Sequence, residues 1–256
     1  AALDGISLLS PELAPHSDGW DATFADRLAR AESDHFWFKG RNDLIIWALR
    51  HYFPDARLFL DVGCGTGAVL AALRRRLPEA TVMGTDGSPE SLALAARRVD
   101  GVEYIQCDAR RLPFEAEFDV VGAFDVIEHI EEDEAVLGRL FRALRPGGGA
   151  LITVPQHRWL WSVADDYSYH KRRYTRAELV NKVQAAGFTV ERATSFVSLL
   201  LPLLIVSRAL MSKCVEDFDP LTEYRMSRVT SAALYRILRA ELGLIRWGVD
   251  WPAGGR

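Results

Sequence analysis

Short apolar runs rich in β-branched residues alternate with longer helical patterns from residue 57 onward. This alternation is typical of β-α-β units on a parallel sheet. It predicts strands over 58–62, 81–86, 102–107, 118–124 and 149–154. It also predicts helices over 66–77, 89–99, 131–145 and 175–186. We expect the third helix to end at Pro146 and the glycines after it, and a sixth strand to cover 188–196.

Helical patterns precede and follow this alternating region. They cover roughly 21–53 on the N-terminal side and 197–242 on the C-terminal side, and no repeat or low-complexity linker separates them from the strands. One sheet with helical additions at both ends is therefore favoured over two independent domains. The predicted fold class is α/β, with a doubly wound, mostly parallel sheet.

Composition and charge narrow the classes of partner. Of the 256 residues, 49% are hydrophobic and 26% are charged, as in soluble globular proteins. The net charge of −4 weighs against a general polyanion binder, so no nucleic-acid partner is expected. Three scattered cysteines, Cys64, Cys107 and Cys214, form neither a disulfide framework nor a C-x-x-C metal pair, which favours a cytoplasmic location.

The chain shows no clear membrane signal. Its N-terminal residues lack a basic segment followed by a long apolar core, so no signal peptide is expected. The most apolar stretch, 195–210, is shorter than the roughly 20 residues that cross a bilayer, and Pro202 interrupts it. We expect no stable membrane insertion. Core packing or a dimer contact is the favoured use of this stretch, with a pocket for a substrate's hydrocarbon portion as the alternative, and the chain is expected to be a monomer or homodimer.

A glycine-rich segment, Asp61-Val-Gly63-Cys-Gly65-Thr-Gly67, leaves the first predicted strand and enters a helix. Glycines let a ligand approach the backbone, and a helix N-terminus offers N–H groups to an anion. Dinucleotide sites have the order G-x-G-x-x-G instead, and Asp61 would repel a pyrophosphate. S-adenosylmethionine carries an ammonium and a sulfonium, which Asp61 would attract. The segment therefore favours this cofactor, and a nicotinamide oxidoreductase is the weakest alternative.

Over residues 35–195 the chain resembles the class I S-adenosylmethionine-dependent methyltransferases, of the small-molecule type 11/12-like family. Beyond the glycine loop, the matching motifs are Asp86 after the second strand, Cys107-Asp108-Ala109 and Leu112-Pro113-Phe114 after the third, Asp125-Val-Ile-Glu128-His129 after the fourth, and Leu144-Arg-Pro146-Gly147 before the fifth. The resemblance implies a Rossmann-like sheet of seven strands in a single domain over 1–256. It implies a helical cap over 20–54, a cofactor-binding core over 55–195 with a substrate loop over 156–175, and a helical lid with the last-strand region over 196–256.

The resemblance also implies S-adenosyl-L-methionine as cofactor and S-adenosyl-L-homocysteine as product. Asp86 would accept hydrogen bonds from both ribose hydroxyls, Asp108 from the adenine amine, and Arg41 would bind the methionine carboxylate. The full set of cofactor-binding candidates is Arg41, Asp61, Gly63, Gly65, Gly67, Asp86, Gly87, Asp108, Ala109 and Asp125.

Chemistry on the methyl acceptor is expected beside the fourth strand. His129 is the candidate general base because the imidazole pKa lies near neutrality, and Glu128 is the candidate that orients it or binds a substrate hydroxyl. An alternative combines Asp125-x-x-Glu128-His129 with His157 as oxygen and imidazole ligands of a divalent metal. That arrangement is similar to the E-x-x-E-H site of metal-assisted O-methyltransferases, with Asp125 in place of the first glutamate. The favoured interpretation is that the site binds no metal.

The segment 156–175 combines aromatic and basic side chains, which suits recognition of an anionic small molecule. The substrate-binding candidates are Trp37, His157, Trp161, Tyr169, His170, Lys171, Arg172, Arg173 and Tyr174. Alternatively, Asp165 and Asp166 pair with the arginines and order the loop. The predicted function is methyl transfer to a small, anionic metabolite of a biosynthetic pathway. The alternatives are a metal-assisted RNA 2′-O-methyltransferase and a non-catalytic subunit that binds S-adenosylmethionine.

Overall fold

The computed structural model describes residues 2–3, 6–10, 12–13, 32, 34–211 and 226–256. Its strands are β1 (Ala2–Leu3), β2 (Ile6–Leu8), β3 (Leu58–Val62), β4 (Thr81–Asp86), β5 (Glu103–Gln106), β6 (Phe118–Phe124) and β7 (Leu144–Thr153). They form one sheet in the order β1-β2-β5-β4-β3-β6-β7. Strands β2 to β7 run parallel and the short β1 is antiparallel to β2. The predicted α/β, mostly parallel sheet is confirmed.

Helices flank the sheet on both faces. They are α1 (Phe36–Tyr52), α2 (Ala68–Arg76), α3 (Pro89–Arg98), α4 (Asp133–Ala143), α5 (Val163–Tyr167), α6 (Arg176–Ala185), α7 (Leu201–Met211) and α8 (Arg228–Arg246). Helices α1, α2 and α3 pack on one face, around Phe59 and Val120. Helices α4 and α6 pack on the other, around Leu60 and Val121. Successive strand residues point to opposite faces, so continuous apolar runs serve a sheet that is buried on both sides.

The predicted sixth strand over 188–196 is wrong. These residues form no strand, although their sequence alternates as a strand does. Residues 254–256 lie between Gln156 and Phe196. The Gly255 carbonyl accepts a hydrogen bond from Gln156 N–H, and the Gly255 N–H donates one to the Phe196 carbonyl. The last-strand region expected within 196–256 is represented among the described residues by this short run of backbone hydrogen bonds.

Two further boundaries differ from prediction. Helix α4 ends at Ala143, and β7 begins at Leu144, so the expected helix stop at Pro146 already lies within the strand. The pairing of β7 with β6 shifts register between Phe118 and Val120, which absorbs the extra glycines as a bulge. The N-terminal pair β1 and β2, which extends the sheet beyond β5, was not predicted.

The two helical additions pack together. Helix α8 lies against α1, and its Leu238 and Ile245 join Phe196 and Trp37 in a separate apolar cluster. Residues 21–31 and 33 of the predicted N-terminal helical segment and residues 212–225 of the tail lie outside the described residues. Within the described part of the chain, no helix is both long and apolar enough to cross a bilayer.

Candidate active site

A cavity of about 200 Å³ opens at the carboxyl ends of β3 and β6. Open parallel sheets bind their ligands at this edge. Its lining includes the glycine loop, four arginines, two histidines and several carboxylates: Glu32, Trp37, Phe38, Arg41, Asp61, Gly63, Cys64, Gly65, Thr66, Ala68, Val69, Phe124, Asp125, His129, Ala164, Asp165, Ser168, His170, Arg173, Arg208 and Arg256. A second cavity, of about 310 Å³, lies at the opposite edge beside Phe53 and Arg57 and lacks histidines.

The glycine loop approaches the cavity with its backbone. Gly63 and Gly65 have φ of 68° and 53°, in the left-handed region that favours glycine. A Cβ atom at Gly63 would lie 2.5 Å from Val126 Cγ2, so this position packs against the segment after β6. A Cβ at Gly65 would meet no described atom within 4 Å, so this glycine borders open space. The loop thus presents bare backbone to a ligand, as the sequence predicts.

Asp61 places a buried carboxyl group on the glycine-loop side of the cavity. It is buried at the end of β3, and its Oδ2 accepts no hydrogen bond from the described residues. Burial raises the pKa of Asp61 to about 8, with Arg41 opposing the shift and Asp86 adding to it. A cation placed beside Asp61 would compensate this desolvation and lower the pKa.

Asp86 and Asp108 end β4 and follow β5, where the sequence places them. Asp86 accepts hydrogen bonds from the backbone N–H groups of Gly65 and Ser88, each at 2.9 Å, and burial raises its pKa. Asp108 binds the Arg110 guanidinium with both oxygens, which together with the Arg110 backbone N–H holds the Asp108 pKa below its usual range against the cost of burial. Neither carboxylate, nor Gly87 or Ala109, lines the cavity. Their contacts to the cofactor therefore stay predictions.

Asp125 forms the centre of an ion-pair group on the β6 side. Its backbone is left-handed, with φ of 60°. It binds Arg41 at 2.8 Å and Arg256 at 3.0 Å, and these two charges hold its pKa below the usual range despite burial. Arg41, the candidate for the methionine carboxylate, is thus already paired within the protein and would have to share its charge with that ligand.

Glu128, His129 and His170 meet beside this group. One donor atom from each of the three lies within 4.8 Å of the others. Glu128 is fully buried, and its pKa is raised to about 8 by burial and by Asp125. Burial and the neighbouring His170 lower the pKa of His129 to about 4, so this ring is neutral at neutral pH.

Asp165 fixes the loop that carries His170. It accepts two hydrogen bonds from the Arg173 guanidinium, at 2.7 and 2.9 Å, and contacts His170 Nδ1 at 2.8 Å. It also accepts from the Ser162 backbone N–H. These partners outweigh burial and hold the Asp165 pKa far below its usual range. The alternative in which Asp165 pairs with an arginine and orders the loop is what the structure shows.

Only part of the predicted substrate set reaches the cavity, namely Trp37, His170 and Arg173. Arg172 and Tyr174 turn toward α4, where both contact Asp133 and neither lines the cavity, so the substrate role of these two residues stays a prediction. An unpaired charge in the protein interior costs free energy, and contacts with these side chains stabilise the buried Asp133 carboxylate.

The remaining predicted residues of the loop also lie outside the cavity lining. Trp161 donates to Asp166, and His157 stacks on Trp159 with ring centroids 5.1 Å apart. Tyr169 and Lys171 are exposed. Lys171 nevertheless ties the loop to the strand end, because its backbone N–H donates to the Glu128 carbonyl at 2.7 Å.

Sequence reasoning missed two arginines of the cavity, Arg208 on α7 and Arg256. Arg208 donates to Ser162 Oγ at 2.8 Å and so joins α7 to the loop. A single arginine in the otherwise apolar stretch 195–210 was the signal that could have indicated Arg208. Arg256 carried no such signal, because long-range folding alone brings it to Asp125.

Comparisons with known proteins agree with this geometry. Residues 59–148 match the family described as a methyltransferase domain. A "Probable S-adenosylmethionine-dependent methyltransferase" of Mycolicibacterium smegmatis is 32% identical over 165 residues, which cover 62% of this chain and 61% of that protein. A trans-aconitate 2-methyltransferase of Azoarcus sp. is 37% identical over 103 residues, covering 40% of this chain and 41% of that one. Each match spans less than two thirds of the relative's own length.

Among solved structures, phosphoethanolamine N-methyltransferase 2 of Haemonchus contortus, in complex with phosphomonomethylethanolamine and S-adenosylhomocysteine, has a TM-score of 0.61 with this chain. It is 21% identical, and the match covers 90% of this chain and 55% of that one. At this identity the likeness shows the fold. Together, these matches confirm the resemblance expected from the glycine loop and its acidic partners.

Proposed function

We propose that this chain, which carries a methyltransferase domain of the class I S-adenosylmethionine-dependent family, transfers a methyl group from S-adenosylmethionine to a small, anionic acceptor. The observation that carries the proposal is the pairing of two different walls in one cavity. The cofactor wall consists of Asp61 and residues 63–69. The acceptor wall consists of His129 and residues 164–173, with the buried Glu128 beside His129.

The cofactor wall suits a ligand that carries a positive charge and packs closely against the backbone of the glycine loop. Asp61 offers a buried carboxyl oxygen without a hydrogen-bond partner in the described chain. The ammonium of S-adenosylmethionine would provide that partner and stabilise the ionised form. Gly65 leaves open space beside it, and Asp86 fixes the loop by accepting from the Gly65 N–H. The cofactor's methionine end is therefore proposed to lie between Asp61 and Arg41.

The acceptor is proposed to be anionic because arginines border the other side of the cavity. Arg208 and Arg256 line it, beside Arg173, whose guanidinium already binds Asp165. A guanidinium binds a carboxylate or phosphate through two parallel hydrogen bonds, which positions the ligand as well as attracting it. Methyl transfer from a sulfonium is an in-line displacement, so orientation of the acceptor is a large part of what the protein must supply.

His129 and Glu128 are the proposed catalytic residues. His129 lines the cavity, and its lowered pKa leaves a ring lone pair available at neutral pH for a proton or a cation. Glu128 is buried, and one of its carboxylate oxygens lies within 4.8 Å of a His129 ring nitrogen. A non-catalytic binding subunit would need no cavity beside His129, so the presence of one favours an enzyme.

The test is a transfer assay with methyl-labelled S-adenosylmethionine and matched sets of carboxylated, phosphorylated and neutral small molecules. We expect labelled product from an anionic set, with Arg208→Ala raising the acceptor KM and leaving S-adenosylhomocysteine affinity unchanged. The matched control is Arg192→Ala, which removes an arginine that pairs with Asp250 outside the cavity. Methylation of neutral compounds alone, or equal effects of the two variants on KM, would contradict the anionic acceptor.

A further inference from the structure

We propose that Glu128, His129 and His170 bind a divalent transition-metal cation in the acceptor wall. Glu128 and His129 follow β6, whereas His170 comes from the loop after β7, so the fold alone brings them together. One donor atom of each lies within 4.8 Å of the others. Ligand bonds of about 2.1 Å allow at most about 4.2 Å between two donors of one ion. The two imidazole rings, whose centroids are 4.7 Å apart, would have to bring their donor atoms slightly closer together when the ion binds.

Glu128 supplies an independent argument for a cation. It has no exposed surface, and neither of its carboxylate oxygens accepts a hydrogen bond from the described part of the chain. A buried carboxyl group without partners is costly, and proteins normally pair such a group or use it to coordinate a metal. A divalent cation would compensate the charge of the Glu128 carboxylate and keep this group ionised.

His170 is oriented as metal-binding histidines are. Its Nδ1 lies 2.8 Å from Asp165 Oδ1, and an ionised carboxylate can only accept, so Nδ1 carries the hydrogen. This leaves the lone pair on Nε2 for a ligand bond. Asp165 is itself held by Arg173 through two hydrogen bonds. A carboxylate that fixes the ring of a ligating histidine is the usual support of such sites.

The remaining acidic and imidazole groups nearby are otherwise engaged. Asp125, which the sequence spacing suggests as a ligand, pairs with Arg41 and Arg256. His157, the other such residue, stacks on Trp159 and does not belong to the cluster. The donor set is therefore two imidazoles and one carboxylate. This mixture favours first-row ions such as Mn²⁺ or Zn²⁺ over Mg²⁺ and Ca²⁺, which prefer oxygen ligands.

The position of the site deepens the proposed function, on which this role rests. His129 and His170 both line the cavity. A cation there would bind an acceptor oxygen and lower its pKa, so that the hydroxyl proton leaves to solvent. The oxygen would then form the bond to the methyl carbon while the carbon–sulfur bond breaks, its electron pair remaining on the sulfur of S-adenosylhomocysteine.

The experiment measures metal binding directly, on tag-free protein stripped with EDTA. Titration with Mn²⁺, followed by calorimetry and by loss of the free-ion electron paramagnetic resonance signal, should show one site per chain. Zn²⁺ should displace Mn²⁺, and excess Mg²⁺ should not. Glu128→Gln and His170→Ala should abolish this binding, and Asp165→Asn should weaken it by about 10–100-fold through the lost support of His170.

His157→Ala is the matched control, because it removes a histidine from the same loop without touching the cluster, and Mn²⁺ affinity should stay within about twofold, well below the effect of losing a ligand's support. S-adenosylhomocysteine binding, measured on each variant, shows that the fold is retained and reports on the cofactor wall separately. Absence of Mn²⁺ binding in the wild type, or equal binding in wild type and His170→Ala, would overturn the metal site. Neither result would touch the assignment of the cofactor.

Discussion

The cofactor wall and the acceptor wall of the cavity are stabilised in different ways. Next to the cofactor wall, backbone N–H groups of the segments that follow β3 and β4 fix a carboxylate, because Asp86 accepts from Gly65 and Ser88. In the acceptor wall, charged side chains pair with one another, as in the bonds of Arg173 and His170 to Asp165. The first wall exposes a carboxyl group to a ligand, whereas the second has already neutralised many of its charges.

The two walls therefore depend on different features of the chain. The cofactor wall depends on backbone geometry, which tolerates little change but needs few particular side chains. The acceptor wall depends on a network of ion pairs that only a few residues can form. We therefore expect substitutions to separate the two walls: some should affect stability through the ion-pair network and others cofactor binding alone.

The largest expected effect tests the acceptor wall. Asp165→Ala should lower the free energy of unfolding by about 3–5 kcal/mol, because the buried guanidinium of Arg173 loses its charged partner. Its neighbour offers the control: Asp166 is exposed and accepts from Trp161 Nε1, so Asp166→Ala should change stability by only about 0.5 kcal/mol. Urea unfolding measures both. Similar losses in the two variants would mean that the Asp165 network does not stabilise this wall.

A smaller effect concerns pH and the cofactor wall. Since the pKa of Asp61 is raised to about 8, the folded chain holds a proton that the unfolded chain has released. Asp61 therefore makes stability fall as pH rises from about 4 to about 8, while a cationic ligand favours the ionised form. S-adenosylhomocysteine affinity should rise by up to about tenfold per pH unit between about pH 6 and 7.

Thermal shift and calorimetry at several pH values test this dependence. Asp61→Asn should weaken binding and remove the rise with pH, because the amide does not titrate. A pH profile that is the same in wild type and Asp61→Asn would show that Asp61 does not face the ligand's ammonium.

The smallest effect distinguishes two glycines of one loop. Gly63→Ala should lower stability by about 1–3 kcal/mol, because its Cβ would overlap Val126 at 2.5 Å. The Cβ of Gly65→Ala would meet no described atom within 4 Å. This substitution should therefore lower the free energy of unfolding by only about 1 kcal/mol, the cost of the left-handed backbone. Cofactor affinity should fall more, relative to stability, for Gly65→Ala. The reverse order in urea unfolding would contradict the described packing of the loop.

The sequence placed Asp61, Asp86 and Asp108 at one edge of the sheet because the information needed for this is local. The apolar runs of β3, β4, β5 and β6 are recognisable one by one, and these carboxylates lie at or just after the carboxyl ends of β3, β4 and β5. Parallel strands bring their carboxyl ends to one edge, so the position of each strand suffices to place these residues on that edge.

The features that the sequence could not show depend on distant partners. Residues 188–196 have a strand-like sequence but form no strand, and Phe196 at their end exchanges backbone hydrogen bonds with Gly255 and Arg256. The basic side chains of 170–174 suggest an open anion site, yet Asp165 and Asp133 already hold Arg173 and Arg172. Sequence spacing cannot show which carboxylate an arginine will reach, because ion pairs of this kind join residues from separate elements.

We expect the cofactor wall to bind an S-adenosyl ligand. Calorimetric titration of the wild-type chain with S-adenosylhomocysteine, at about pH 8, where Asp61 is about half ionised, tests it most directly. We expect binding at one site per chain that S-adenosylmethionine displaces and that Asp86→Ala weakens by about 10–100-fold through the loss of charged hydrogen bonds. No detectable binding, or binding of equal strength in Asp86→Ala, would contradict it.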